Sequence, residues 1–200
     1  MLMIKDIDAL TEKIRKYVKK SVNQTRYEHS VRTAETCVLL CRKYGLDEKV
    51  GYLAGIAHDM CKKLPSEKLL EIAKEDGKPI SLLEQENPAL LHGRAASVML
   101  KKEFNIQDED VLEAVSNHTF GKKGLCNLGK ILYISDKIEP GRGFVDQKYK
   151  DSVKNLSLDE FFYKVLSDSC EYLLKKGKKI SSETIELLEF LKNNINKGEI

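Results

Sequence analysis

The sequence has few of the residues that interrupt helices, with 12 glycines and 4 prolines among 200 residues. Leucine, lysine, glutamate and isoleucine are abundant instead, and this composition favours helices over a turn-rich β architecture. No run approaches the roughly 18 consecutive apolar residues that a membrane-spanning helix needs. The opening MLMIKDIDAL also lacks the apolar stretch and small-residue cleavage site of a signal peptide. We therefore expect a helical protein that lies in the cytoplasm and does not cross a membrane.

Tryptophan is absent, and no predicted helix carries a stripe of basic and aromatic residues. The formal net charge is only +3 with both signs mixed, so a nucleic-acid-binding module is not indicated. A membrane-surface role is not indicated either, because no helix pairs a basic face with large aromatic residues. The five cysteines form an odd number and show no CxxC spacing, which favours reduced thiols packed in a core.

Apolar residues recur at helical spacing along most of the chain, with no repeat, linker or convincing strand. Several helices begin with residues that cap helix N-termini, namely Asp47, Ser66, Asp108 and Ser157. Asn87 followed by Pro88 predicts another helix start, and Gly45 predicts a helix end. Residues 143–156 are predicted to be a loop. The pattern predicts one all-α domain over residues 1–200.

Polar groups that bind metals fall on different predicted helices. They are His29, His58, Asp59, His92, His118 and Asp136. His58 and Asp59 end an apolar stretch, and Asp136 follows another, so burial would be costly unless something satisfied these groups. A structural histidine or a salt-bridged aspartate explains each one taken alone. One buried divalent cation would satisfy them together, and imidazole with carboxylate suits Fe, Mn, Zn or Ni.

The order of these residues resembles that of the HD-domain superfamily of metal-dependent phosphohydrolases. The chain is most similar to the YqeK family of bacterial HD proteins, in blocks that cover roughly residues 26–143. These blocks are YEHSVRTA, GYLAGIAHDMCKKLP, LLHGRAAS, SNHTFGKKGL and KILYISDKIEPGR. The resemblance implies a single HD-domain helical bundle with core motifs at 26–143 and C-terminal helices at 157–195 packed on it.

The family is known as symmetrical bis(5′-nucleosyl)-tetraphosphatases, which split diadenosine tetraphosphate into two ADP molecules. The resemblance implies one divalent metal, iron first, on His29, His58, Asp59 and Asp136. From the chemistry of the side chains, we expect Asp59, His92 and His118 to be catalytic. The resemblance also implies nucleotide contacts from Arg26, Asp59, Lys62, His92, His118, Thr119 and Arg142, with Lys179 and Thr184 from the later segment KKISSET. Lys122 stands where the family pattern leads us to expect arginine.

The residues leave several alternatives open. His92 and His118 could protonate the leaving phosphate or hydrogen-bond phosphoryl oxygens, since imidazole titrates near neutral pH, or they could bind a second metal. The substrate is expected to be a dinucleoside polyphosphate or an ADP- or GDP-type nucleotide. Alternative functions are a deoxynucleotidase, a guanosine alarmone hydrolase, or a catalytically silent HD module that binds nucleotide. A homodimer is also open.

Overall fold

The computed structural model describes residues 4–143 and 145–197. These residues form eleven α-helices and contain no strand, which confirms the predicted all-α class. The helices are α1 (Ile4–Ser21), α2 (Gln24–Tyr44), α3 (Glu48–Ala57), α4 (Ser66–Ala73), α5 (Leu82–Glu86), α6 (His92–Glu103), α7 (Glu109–Asn117), α8 (Asn127–Ile138), α9 (Gln147–Val153), α10 (Leu158–Lys175) and α11 (Ser182–Lys197). The one-domain prediction for 1–200 also includes residues 1–3, 144 and 198–200, which lie outside the described residues.

Most predicted helix ends are confirmed by the caps that form. The side chain of Asp47 accepts from the backbone N–H groups of α3, and that of Asp108 accepts from those of α7. Ser157 begins α10 with a reciprocal capping box. Gly45 ends α2 at φ 74°, a left-handed conformation that glycine adopts without steric cost.

Two local predictions are wrong, and a third is confirmed in part. Residues 147–153 form α9 within the predicted loop, begun by Asp146, whose side chain accepts from Tyr149 N. Ser66 is the first residue of α4 and not its cap. Pro88 begins a helical segment as predicted, but its first turn, Pro88–Leu91, is a 3₁₀ helix and Asn87 makes no side-chain cap. This turn matters for function, because it makes His92 the first residue of α6.

The core lies where α2, α3, α7 and α8 meet. Helix α2 packs on α3 and α8, α7 packs on α6 and α8, and α10 joins α8 to α11. Fully buried aliphatic side chains fill the interior, including Leu53, Ile56 and Ile131, and each contributes about 1.5–3 kcal/mol through burial. At Gly55 a Cβ atom would lie 2.4 Å from Ala34 Cα, so α3 approaches α2 closely because this residue is glycine.

The described cysteines are all unpaired, as the sequence predicts, and four of the five are buried. Within residues 4–143 and 145–197, no helix is both long and apolar enough to pass through a bilayer.

Candidate metal centre and active site

Five helices bring the six predicted metal-binding and catalytic residues together. His29 lies on α2, and His58 and Asp59 follow directly after α3. The remaining three are His92 at the start of α6, His118 directly after α7, and Asp136 on α8. Each of the six is at most 7% exposed. The fold therefore buries four imidazoles and two carboxylates in one place.

Every one of these histidines is held from its Nδ1 side. Three Nδ1 atoms donate to the backbone carbonyl three residues earlier, each over 2.7 Å: His58 to Gly55, His92 to Ala89, and His118 to Val115. His29 Nδ1 lies 3.1 Å from Glu139 Oε1 and donates to it. With their protons on Nδ1, the rings present the lone pairs of their Nε2 atoms, which is the arrangement that metal-ligating histidines need.

The Nε2 atoms of His29 and His58 face the carboxylates of Asp59 and Asp136. His29 Nε2 lies 3.0 Å from Asp136 Oδ1, and His58 Nε2 lies 3.4 Å from Asp59 Oδ2. Neither nitrogen makes a hydrogen bond, although both are buried. An unsatisfied buried polar atom costs about 1–3 kcal/mol, whereas a divalent cation would bind both lone pairs and both carboxylates. These four residues fit a divalent metal.

A second set of donors shares Asp59 with the first. His92 Nε2 lies 3.0 Å from Asp59 Oδ1 and 2.9 Å from His118 Nε2. His118 Nε2 is 3.9 Å from the same Asp59 oxygen. Gly93 permits this approach, because a Cβ atom there would lie 2.9 Å from the His118 ring. Asp59 therefore stands between the His29–His58 pair and the His92–His118 pair.

Four cationic side chains surround the carboxylates. Arg26 Nη1 donates to Asp59 Oδ2 over 2.9 Å. Arg142 donates from Nη2 to the carbonyl and Oδ1 of Asp136, and Lys137 Nζ lies 2.5 Å from Asp136 Oδ2. Lys62 Nζ lies 3.2 Å from His92 Nε2. Positive charge is therefore concentrated on one buried site, where it can meet a polyanion.

The electrostatics keep both carboxylates ionised. Burial acts to raise the pKa of Asp59, but His58 and His92 outweigh it and hold that pKa well below its ordinary value. Burial likewise opposes ionisation of Asp136, and Lys137 and His29 lower its pKa well below the ordinary value. Two anionic oxygen donors are thus available at neutral pH.

The other predicted contacts lie beside this cluster or have different partners. Thr119 follows His118, and its buried hydroxyl makes no hydrogen bond. Thr184 donates to the carbonyl of Phe120 over 3.3 Å, which holds the start of α11 against the turn after His118. Lys179 is exposed and pairs with Glu86, with Nζ 3.1 Å from Oε2. Lys122 pairs with Glu113.

Sequence reasoning missed three residues that touch the site. Lys137 pairs with Asp136, while Glu139 contacts both His29 and Arg32. A signal was present for Arg32, because it lies three residues after His29 on α2 and so shares the helix face of that predicted ligand.

Comparison with known proteins agrees with this geometry. The HD domain family matches residues 26–141, more than half of the chain. The chain belongs to the HD domain family.

Individual relatives carry more specific names than the family does. A Staphylococcus aureus protein named bis(5′-nucleosyl)-tetraphosphatase, symmetrical, is 32% identical over 181 residues, 90% of this chain and 93% of its own length. A Bacillus subtilis protein of the same name is 30% identical over 84% of this chain and 89% of its own length. A crystal structure from Clostridium acetobutylicum, described as a predicted HD superfamily hydrolase involved in NAD metabolism, is 34% identical. It superimposes with a TM-score of 0.83 over 92% of this chain and 97% of that chain.

Proposed function

We propose that this chain is a metal-dependent hydrolase that splits dinucleoside tetraphosphates symmetrically, so that diadenosine tetraphosphate yields two ADP molecules. The observation that carries the proposal concerns the buried Nε2 atoms of His29 and His58, which make no hydrogen bond and face two carboxylates with cationic side chains around them. Relatives that carry the name of this activity align with most of the chain, which supports the same substrate class here.

His29, His58, Asp59 and Asp136 would hold the divalent cation. Iron is the metal we propose, and manganese, nickel and zinc suit the same donors. When bound, such a cation supplies Lewis acidity toward a phosphoryl oxygen and lowers the pKa of a water molecule. Two carboxylates with two neutral imidazoles cancel its charge, so phosphate binding depends on additional positive groups.

The cations around the cluster would supply that charge. Arg26, Lys62 and Arg142 lie against the carboxylates or His92, and we assign them to phosphate oxygens. Arginine can bind phosphate through two parallel N–H donors, which orients as well as attracts it. Asp59, Thr119, Lys179 and Thr184 complete the proposed set of nucleotide contacts.

His92 and His118 are proposed to handle the proton of the leaving group. Both Nδ1 protons are already donated to carbonyls, so the 2.9 Å contact between the two Nε2 atoms has room for one further proton. From there the proton can pass to the phosphate that leaves. A general acid positioned in this way typically increases the reaction rate by about 10²–10⁴-fold. A second metal on Asp59, His92 and His118 is the competing assignment.

The reaction itself is tested by the fate of water oxygen. With diadenosine tetraphosphate in heavy-oxygen water, we expect ADP as the sole nucleotide product, with label in one of the two ADP molecules per turnover. Mass spectrometry of separated products measures both quantities. AMP with ATP would contradict symmetrical cleavage. Faster release of phosphate from a deoxynucleotide would favour a deoxynucleotidase, and faster release of pyrophosphate from a guanosine alarmone would favour an alarmone hydrolase. Binding of nucleotide without turnover would favour a catalytically silent HD module.

Replacing Arg142 with alanine should weaken substrate binding and leave the metal in place. Its guanidinium is the proposed phosphate contact, and a charge-assisted hydrogen bond contributes about 1.5–3 kcal/mol, so KM should rise by roughly 10–150-fold. Metal should remain because Asp136 keeps its contact with Lys137. Steady-state kinetics and elemental analysis measure the two effects.

Arg42→Ala is the matched control, because Arg42 also pairs with a carboxylate, Glu48, but on the exposed surface. An unchanged KM in Arg142→Ala would show that Arg142 does not bind substrate. The cytoplasmic location, a homodimer and the lack of nucleic-acid and membrane partners stay predictions.

A further inference from the structure

Glu139 is a buried carboxylate beside the metal site. It follows α8 directly and is 2% exposed. Its Oε2 accepts from Arg32 Nε over 2.5 Å and from Gly141 N over 2.6 Å. Its Oε1 accepts from His29 Nδ1 over 3.1 Å and, at the longer distance of 3.4 Å, from Arg32 Nη2. Among the four histidines, His29 is the one whose Nδ1 is held by a side chain and not by a backbone carbonyl.

We infer that Glu139 is a positioning residue that holds the His29 ring through Nδ1 and thereby keeps Nε2 turned toward Asp59 and Asp136, where the metal would bind. The inference rests on the metal site of the proposed function. When Nε2 is a metal ligand, the ring's one proton is on Nδ1 and needs an acceptor, and an ionised carboxylate can only accept. A ring held in this way also cannot rotate away from Asp59 and Asp136.

The hydrogen-bond partners of Glu139 determine which way the amide of the isosteric variant Glu139→Gln would be oriented. Arg32 Nε and Gly141 N are both donors, and both point at Oε2. In Glu139→Gln the amide oxygen has to occupy that position, because an NH₂ group there would meet two donors. The NH₂ group would then face His29 Nδ1. Whenever Nε2 is bound to a metal, Nδ1 carries the proton, so two donors would oppose each other and the ring would be pushed out of its metal-binding position.

The local backbone is built to hold this pair together. At Gly141 a Cβ atom would lie 2.5 Å from Arg32 Nη2, so the guanidinium reaches Glu139 across a glycine. Arg32 Nε, Gly141 N and His29 Nδ1 all direct N–H groups at the two oxygens of Glu139, and this surrounding of donors matches the ionised form of the carboxylate.

The test compares Glu139→Gln with Glu139→Asp and with Glu84→Gln in the full chain. Glu84 is also buried and paired with an arginine, Arg94, but it touches no histidine. Histidine ¹⁵N NMR of the Zn²⁺-loaded proteins reports which ring nitrogen of His29 binds the metal and which carries the proton. Titration with Co²⁺ reports affinity, and thermal unfolding reports the stability that both Gln variants are expected to lose.

We expect His29 to bind Zn²⁺ through Nε2, with its proton on Nδ1, in the wild type and in Glu84→Gln, and to lose this coordination in Glu139→Gln. Co²⁺ affinity should fall about 10–100-fold in Glu139→Gln alone, and Glu139→Asp should restore most of it. Zn²⁺ bound to His29 through Nδ1 in the wild type would overturn the inference without any variant. Unchanged coordination and affinity in Glu139→Gln would overturn it as well. A wild type that binds no metal would refute the proposed function, whereas a metal-binding wild type that Glu139→Gln matches would refute the role of Glu139 alone.

Discussion

Asp59→Asn is expected to lose both bound metal and hydrolysis while it keeps its helices. Asp59 lies within 4 Å of His29, His58, His92 and His118, and Arg26 donates to it. Asparagine keeps the shape but removes the charge that holds a divalent ion and replaces one acceptor with a donor. Elemental analysis, turnover of diadenosine tetraphosphate and far-ultraviolet circular dichroism measure the three quantities. We expect metal and activity near background and an almost unchanged helical spectrum.

Asp76→Asn separates this effect from the loss of an ion pair. Asp76 is also largely buried and accepts two hydrogen bonds from an arginine, Arg94, but it is outside the metal-binding cluster. We expect Asp76→Asn to lower the free energy of unfolding while the protein keeps its metal and its activity. Full metal content and normal turnover in Asp59→Asn would remove Asp59 from the site.

His92→Ala and His118→Ala should each slow hydrolysis by about 10²–10⁴-fold and still bind one metal per chain. The two rings share the proton assigned to the leaving phosphate, so the loss of either ring should break the transfer. Neither ring contacts Asp136 in the described structure, and the proposed metal is held by other residues. Single-turnover kinetics together with metal analysis of the same samples measure both quantities.

A dinuclear centre makes the opposite prediction for the same variants. The wild type would hold two metals per chain, and both single variants would hold one or none. His29→Ala is the reference, because it should lose the metal on either assignment. Two metals lost together in His92→Ala would overturn the mononuclear proposal.

Many of the helix boundaries could be predicted from local sequence signals. Asp47, Asp108, Ser157 and Gly45 act on backbone within four residues of themselves, so their effects can be predicted without knowing the tertiary structure. Helix α9 was missed because Val153 is its one buried residue, and a single apolar position shows no periodicity. The turn at Pro88–Leu91 was missed for another reason, since proline fits the first turn of either kind of helix.

The candidate site also contains residues that the sequence predicts and residues that it does not. Resemblance and spacing selected His29, His58, Asp59, His92, His118 and Asp136, and the fold brings all six together. Glu139 was not selected, because a glutamate before a proline at a helix end is ordinary in sequence. Its contact with His29 joins residues 110 positions apart and depends on how α2 packs against α8.

The backbone carbonyls that hold three of the histidines affect how the site tolerates mutation. Every residue type has a backbone carbonyl, so substitution of Ala89 or Val115 leaves His92 and His118 with their hydrogen-bond acceptors. His29 has no such protection, because its acceptor belongs to a replaceable side chain. Among single substitutions that spare the histidines, we therefore expect those at position 139 to be the ones that displace an imidazole by removing its acceptor.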